Sequence, residues 1–127
     1  MMARIMVVDD VASMCQLIRV ALETAGHRVL EARDGDEART LALTKKVHLV
    51  ITDVNMPKVS GLELITILRG TKSYANTPIL MLTNDAKDEN IKKARTLGAS
   101  GWIVKPFTPD QLIATVNQVL VDTYVNN

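Results

Sequence analysis

Five short apolar runs alternate with five amphipathic stretches along this chain. The runs fall at about 4–8, 28–32, 48–52, 79–82 and 101–104, and each has the length of a buried strand. Between and after them, near 12–25, 35–45, 61–70, 86–97 and 109–124, apolar residues recur with the period of a helix that buries one face. The punctuation agrees. Gly26 and Gly98 stand where helix C-caps belong, and Pro78 precedes a strand. Thr108 is placed to cap a helix with Pro109 in its first turn, and Asp10 or Ser13 can cap the first helix. Strand–helix alternation predicts right-handed crossovers and therefore a parallel sheet covered by helices on both faces.

Length and composition narrow the class. The 127 residues fit one domain, with no repeat, low-complexity segment or linker, and 47% hydrophobic content excludes disorder. A net charge of +1, with no basic run longer than Lys45-Lys46 or Lys92-Lys93, gives no footprint for nucleic acid. No apolar run approaches the ~20 residues that span a bilayer, and Met1-Met2-Ala3-Arg4 starts neither a signal peptide nor a myristoylation site. A cytoplasmic protein that contacts neither membrane nor nucleic acid is expected. The lone Cys15 excludes an internal disulfide and reads as helix-face core, with Met6, Met14 and Met81 as core filler. His27 and His48 have no partners at metal-ligand spacing and read as surface or strand-edge residues.

The candidate chemistry sits just past the strands. Asp9-Asp10 follows the first, Asp53 the third, Thr83 the fourth and Lys105 the fifth. In a parallel α/β sheet the strand C-termini open onto one crevice, where ligands bind. Three carboxylates converging there repel one another unless a divalent cation lies between them, and all-oxygen ligation suits Mg²⁺, with Mn²⁺ as a substitute. Lys105 would then meet Asp53 as a counter-charge. The Lys105-Pro106 bond is a candidate cis peptide, since X-Pro bonds supply most such bonds. Thr83 offers a hydroxyl to a phosphoryl oxygen, or caps the next helix.

Val8-Asp9-Asp10, Asp53-Val54-Asn55-Met56-Pro57 with Gly61, Leu82-Thr83, and Gly98-Ala99-Ser100-Gly101-Trp102-Ile103-Val104-Lys105-Pro106-Phe107 together form a specific pattern. With them the chain resembles, over nearly its full length, the receiver domains of two-component response regulators, and within that family the single-domain, CheY-like chemotaxis receivers. The resemblance implies a doubly wound (βα)5 flavodoxin-like fold with sheet order 2-1-3-4-5, filling residues 1–127 without an effector domain. It implies that Asp53 is the phosphoacceptor. Mg²⁺ would be held by Asp10, Asp53, the backbone carbonyl of Asn55 and, through water, Asp9. Lys105 would hold a phosphoryl oxygen, and Thr83 and Trp102 would form the switch. Asn55 and Asp85 flank the acceptor and would tune dephosphorylation. The protein would act as a phosphoacceptor, catalysing only its own transfer and dephosphorylation.

Implied partners are a sensor histidine kinase and an output protein, either a motor switch or a phosphotransfer protein. A monomer is expected, with a dimer on phosphorylation as the alternative. The family's interaction face is the fourth helix, fifth strand and fifth helix, which here carry Lys92, Lys93, Trp102, Ala114, Val121 and Val125. On the last helix, Leu112, Ile113, Val116, Val119, Leu120 and Tyr124 make a core face, with Ala114, Val121 and Val125 opposite. Two departures stand out: Trp102 replaces the family's tyrosine or phenylalanine, and Ser60 replaces an acid before Gly61. A phosphorelay intermediate or the detached receiver of a larger regulator fits the same residues. A flavodoxin-like cofactor binder fits less well, because Asp9-Asp10-Val11-Ala12 would repel a phosphate. An aspartyl phosphohydrolase would want a second acid where Asn55 stands.

Overall fold

Alternate residues of a strand point to opposite faces of its sheet, so a run that is apolar at every position must feed two cores. The computed structural model, which describes residues 2–56, 58–85, 87 and 89–126, shows this arrangement. Strands β1 (Arg4–Val8), β2 (Arg28–Ala32), β3 (Leu49–Asp53), β4 (Ile79–Thr83) and β5 (Gly101–Val104) form one parallel sheet in the order β2-β1-β3-β4-β5. Helices α1 (Ala12–Thr24), α2 (Gly35–Thr44), α3 (Gly61–Arg69), α4 (Glu89–Leu97) and α5 (Pro109–Tyr124) cover it. On one face Ile5, Val7, Ile51, Leu82 and Ile103 pack with Cys15, Ile18 and Leu22 of α1 and Leu112, Val116 and Leu120 of α5. On the other, Met6, Val8, Val50, Ile79 and Met81 pack with Ala38 of α2, Leu64, Ile65 and Leu68 of α3, and Ala94 of α4. Each large apolar side chain so buried contributes roughly 1.5–3 kcal/mol, against about 0–1 kcal/mol for an exposed ion pair. Packing, not surface charge, fixes the frame.

The predicted elements are present, with shifts at their ends. β3 and β4 each run one residue further than the apolar pattern, because Asp53 pairs with Leu82 and Thr83 with Val104 in the ladder. The two polar residues therefore terminate their strands instead of following them. β3 begins at Leu49, leaving His48 just before it. α4 begins at Glu89; residues 86 and 88, which the sequence pattern included in that helix, lie outside the described residues. A 3₁₀ turn at Lys72–Tyr74 was not predicted, and it carries the buried Tyr74, whose hydroxyl lies 2.7 Å from the Ala42 carbonyl and 2.6 Å from that of Lys45. Gly26 and Gly98 do end helices, with φ of 95° and 112°, a region costly for any residue with a Cβ.

Helix starts follow local chemistry. Asp34 caps α2 by accepting from the Glu37 amide, while Ser60 with Glu63 and Thr108 with Gln111 form reciprocal capping boxes. Ser60, a departure from the family pattern, is thereby explained as a cap. α1 corrects the expectation that Asp10 or Ser13 caps it. Its N-cap is Val11, which has no capping side chain. Asp9 Oδ1 accepts the Val11 amide at 2.9 Å and closes the turn instead.

Two further corrections concern polar residues in the core. His27 is 4% exposed, not a surface residue. Its Nδ1 accepts from the Ala3 amide at 3.1 Å, so Nε2 carries the proton toward Asn117 Oδ1 at 2.8 Å. His48 Nδ1 accepts from the neighbouring Arg4 amide at 2.9 Å, so the two histidines hold the start of β1 from both sides. Tyr124 is 42% exposed and not part of the α5 core face. Its hydroxyl donates to the His48 carbonyl at 2.6 Å, and its ring meets His48 edge-on, which keeps it at the sheet's rim.

Arg69, silent in the sequence pattern, ties three segments together. Its guanidinium donates to the carbonyls of Gly98, Tyr74 and Thr77, at 2.7 to 3.1 Å. Arg69→Met leaves these acceptors without their charged donor and is expected to cost about 1.5–3 kcal/mol. Urea unfolding should show a lower midpoint at an unchanged slope.

Candidate functional site

The sheet order places β1 between β2 and β3, so the C-terminal ends of β1 and β3 lie side by side. Asp9 and Asp10 from the first and Asp53 from the second each present a carboxylate oxygen, and the three oxygens lie within 4.8 Å of one another. Lys105, just after β5, reaches across β4 to them. Its Nζ is 3.5 Å from Asp53 Oδ2 and 3.6 Å from Asp9 Oδ2, and its backbone amide donates to the Thr83 carbonyl at 2.7 Å. The Lys105-Pro106 peptide is cis. Among these four side chains, three carboxylates face one ammonium, and two negative charges stay uncompensated.

The residues fit a divalent cation. Asp9 is fully buried, and its Oδ2 has no hydrogen bond and only the Lys105 ammonium at 3.6 Å, which it shares with Asp53, so a further cation would offset the charge that one ammonium leaves. Asp10 is exposed and Asp53 half-buried, so the cluster opens to solvent on the side from which a hydrated ion arrives. An all-oxygen donor set with room for water is the Mg²⁺ preference. Burial, first, and Asp9 push the Asp53 carboxyl above the ordinary range, while Lys105 and the Asn55 amide pull it down.

Thr83 is buried at the end of β4, and its hydroxyl is occupied by Asp85: it donates to the Asp85 carbonyl at 3.1 Å and accepts the Asp85 amide at 3.2 Å. Trp102 on β5 is half-buried against the α2–α4 core, with the Arg95 guanidinium 4.6 Å from its ring centroid. Asn55 and Asp85 are both exposed on the loops after β3 and β4. Pro57, part of the motif after Asp53, lies outside the described residues. Lys92 and Lys93 line the α3 side of α4, whereas Arg95 covers Trp102. On α5, Ala114 and Val125 are exposed and Val121 is half-buried.

Two residues shape the site without having been read as doing so. A Cβ at Gly61 would lie 2.2 Å from the Asp53 carbonyl oxygen, so only glycine lets α3 start against the acceptor loop. Lys58, at φ 66°, pairs with Asp34 at 3.9 Å and links the loop after β3 to the start of α2. The sequence signal for Gly61 was its place in the motif; for Lys58 there was none, since a positive φ is usually left to glycine or asparagine.

The sequence profile of the response regulator receiver domain matches residues 5–117. The chain belongs to this family. Among its relatives, the receiver is 42% identical over 120 residues to a chemotaxis protein CheY homolog of Campylobacter jejuni, covering 92% of each chain. It is 36% identical over 116 residues to the phosphate regulon transcriptional regulatory protein PhoB of Pseudomonas aeruginosa, where it spans only 51% of that protein's length. Its fold matches the chemotaxis response regulator CheY4 of Vibrio cholerae at a TM-score of 0.90 and 39% identity, over 94% of this chain and 99% of that one. The receiver is a component of two-component signalling and not a conventional enzyme. Among the described residues, no helix is long and apolar enough to cross a membrane.

The raised Asp53 carboxyl carries a stability consequence. The native state holds this proton more tightly than the unfolded chain does, so the ionised group opposes folding above the carboxylate range and has no effect well below it. Asp53→Asn is therefore expected to raise the thermal midpoint of the metal-free protein at pH 7. That gain should shrink as the pH is lowered through the carboxylate range; calorimetry in EDTA across pH checks both.

Proposed function

We propose that the receiver accepts a phosphoryl group on Asp53 from a phosphohistidine of a sensor histidine kinase, or from a small acyl phosphate, and signals by phosphorylation-dependent protein binding. The observation that carries this reading is the placement of Lys105 Nζ between Asp53 and Asp9 beside a three-carboxylate cluster. An Asp53 carboxylate oxygen attacks phosphorus. The P–N bond of the donor breaks, or the P–O bond of an acyl phosphate, and its electrons leave with the imidazole or carboxylate. Asp10, Asp53, the Asn55 carbonyl and Asp9 would hold Mg²⁺, which would supply charge neutralisation at the phosphoryl oxygens. Lys105 moves its charge from the Asp53 carboxylate to a phosphoryl oxygen, and the Thr83 hydroxyl leaves Asp85 to donate to another. Catalysis is positioning and electrostatics.

A chemotaxis or motility output is favoured by the similarity to CheY homologs along nearly the whole of both chains. The output partner is then a motor switch or phosphotransfer protein. A receiver serving a longer regulator is the second reading, favoured by the match to about half of PhoB. The departing Thr83 hydroxyl opens space toward Trp102, which lies one strand position before Ile103 in the ladder beside Met81.

Incubation with Mg²⁺ and acetyl phosphate should add one phosphoryl mass to the wild-type protein and none to Asp53→Asn, with a Trp102 emission change in the wild type alone. Equal labelling of both would place the acceptor elsewhere. Lys105→Ala should retain Mg²⁺ binding and lose the emission change. If Asn55 and Asp85 orient the hydrolytic water, replacing either by leucine lengthens the phosphorylated half-life several-fold in a chase by intact mass. Unchanged half-lives in both variants exclude that role.

A further inference from the structure

The strands are parallel, so the acceptor cluster at their C-terminal ends leaves a second pole at their N-terminal ends. An open pocket of about 560 Å³ lies there, lined by Lys46 and His48 before β3, by Lys72, Ser73 and Asn76 before β4, and by the last turn of α5. That volume is in the range of small-molecule sites. At about 3.3 Å per residue, the length of β3 sets His48 roughly 17 Å from Asp53. One ligand group cannot serve both poles.

The pocket holds donors that the chain leaves unused. Lys46 and Lys72 are exposed, and among the described residues neither makes an ion pair or a side-chain hydrogen bond. The Ser73 hydroxyl and the Asn76 amide are likewise unengaged among the described residues. His48 Nδ1 accepts from the Arg4 amide at 2.9 Å, which leaves Nε2 as an N–H donor. The charge is one-sided too. Residues 38–52 and 64–84, which carry Lys46 and Lys72, contain no aspartate or glutamate. The acid that lines the pocket, Asp122 of α5, accepts from Gln118 Nε2 at 2.9 Å and pairs with neither lysine. Arg4 adds a cation beside Lys46, whose carbonyl accepts from its guanidinium at 3.3 Å.

From this donor set we infer that the pocket binds the phosphate group of a small phosphorylated molecule, with Lys46 and Lys72 as counter-charges and Ser73, Asn76 and His48 Nε2 as neutral donors. The donor types select the anion. Lysine acts on phosphate as a point charge, whereas a planar carboxylate is matched best by the fork of arginine. Among the described residues no arginine lines the pocket, and the Arg4 guanidinium is taken by a carbonyl. A phosphate carrying two charges balances two ammoniums. The rest of the molecule would lie against Tyr124, whose hydroxyl is fixed on the His48 carbonyl at 2.6 Å. The inference stands apart from the phosphorylation reading, because none of these residues belongs to the acceptor cluster.

The test is an amide chemical-shift titration of the ¹⁵N-labelled full chain with sodium pyrophosphate, without Mg²⁺. Saturable shifts centred on Lys46, His48, Lys72, Ser73 and Asn76 are expected. A Lys46→Gln, Lys72→Gln variant of unchanged thermal midpoint should lose roughly tenfold in affinity, as removal of charge-assisted hydrogen bonds predicts. A Lys92→Gln, Lys93→Gln control, which removes the same charge from α4, should bind as the wild type does. Asp122→Asn should bind several-fold more tightly, since it keeps an acceptor for Gln118 and removes the acid from the pocket. No saturation, shifts centred on Asp53 and Lys105, an equal loss in the α4 control, or citrate binding as tightly as pyrophosphate would each overturn the proposal. So would binding to phosphatidic acid vesicles in place of pyrophosphate, which would assign the pocket to a lipid headgroup.

Discussion

Mutual repulsion among Asp9, Asp10 and Asp53 is the constraint around which this receiver is organised. Three carboxylate oxygens within 4.8 Å, with Asp9 fully buried and its Oδ2 without a hydrogen bond, cannot persist on local preference alone. They are held together because Asp53 ends β3 and Asp9 and Asp10 directly follow β1, and the ladder that sets these strand ends side by side is fixed by two apolar cores. The energy stored in that crowding is what a cation or an incoming group can release. Lys105 offsets part of it and, being the terminal group of a long side chain anchored by the Thr83 carbonyl, is free to change partners.

The same frame separates the parts that must be rigid from those that must move. The carboxylates come from the end of β3 and the short turn after β1, which is tied down by the Asp9 amide on the Ala32 carbonyl and the Val11 amide on Asp9 Oδ1. Thr83 and Trp102 lie on neighbouring strands, β4 and β5, and each is engaged with something replaceable: Thr83 with a backbone turn at Asp85, Trp102 with an exposed guanidinium. A hydrogen bond exchanged for another of its kind costs little net free energy, which is the property a switch element needs. α4 then carries charge on two edges: Arg95 toward the switch aromatic, and Lys92 and Lys93 toward α3.

Much of this was legible from the residues. The five runs and five amphipathic stretches named the elements, and Gly98, Thr108 and Pro109 marked their ends correctly, because turn and cap chemistry is local. The site was legible for a different reason: in a parallel sheet every strand points its C-terminus the same way, so residues remote in sequence but equivalent in position must meet. What stayed hidden was long-range polar satisfaction. Nothing near His27 foretells that Ala3 and Asn117 will occupy its two ring nitrogens, and nothing near Arg69 foretells three carbonyls from two other segments. Tyr124 was misplaced because helical periodicity continues past the point where the core beneath it ends.

The sequence by itself determined the order of elements, the two-faced burial of the strands, the cap at Thr108 and the identity of the acidic cluster, since each depends on neighbours within a few residues or on a direction shared by all strands. Only the tertiary structure decided that Asp9 closes the turn before α1, that its second oxygen is buried without a hydrogen-bond partner, and that Lys105 stands between two carboxylates. Distances between side chains from different strands follow from register and packing, and no local pattern encodes them.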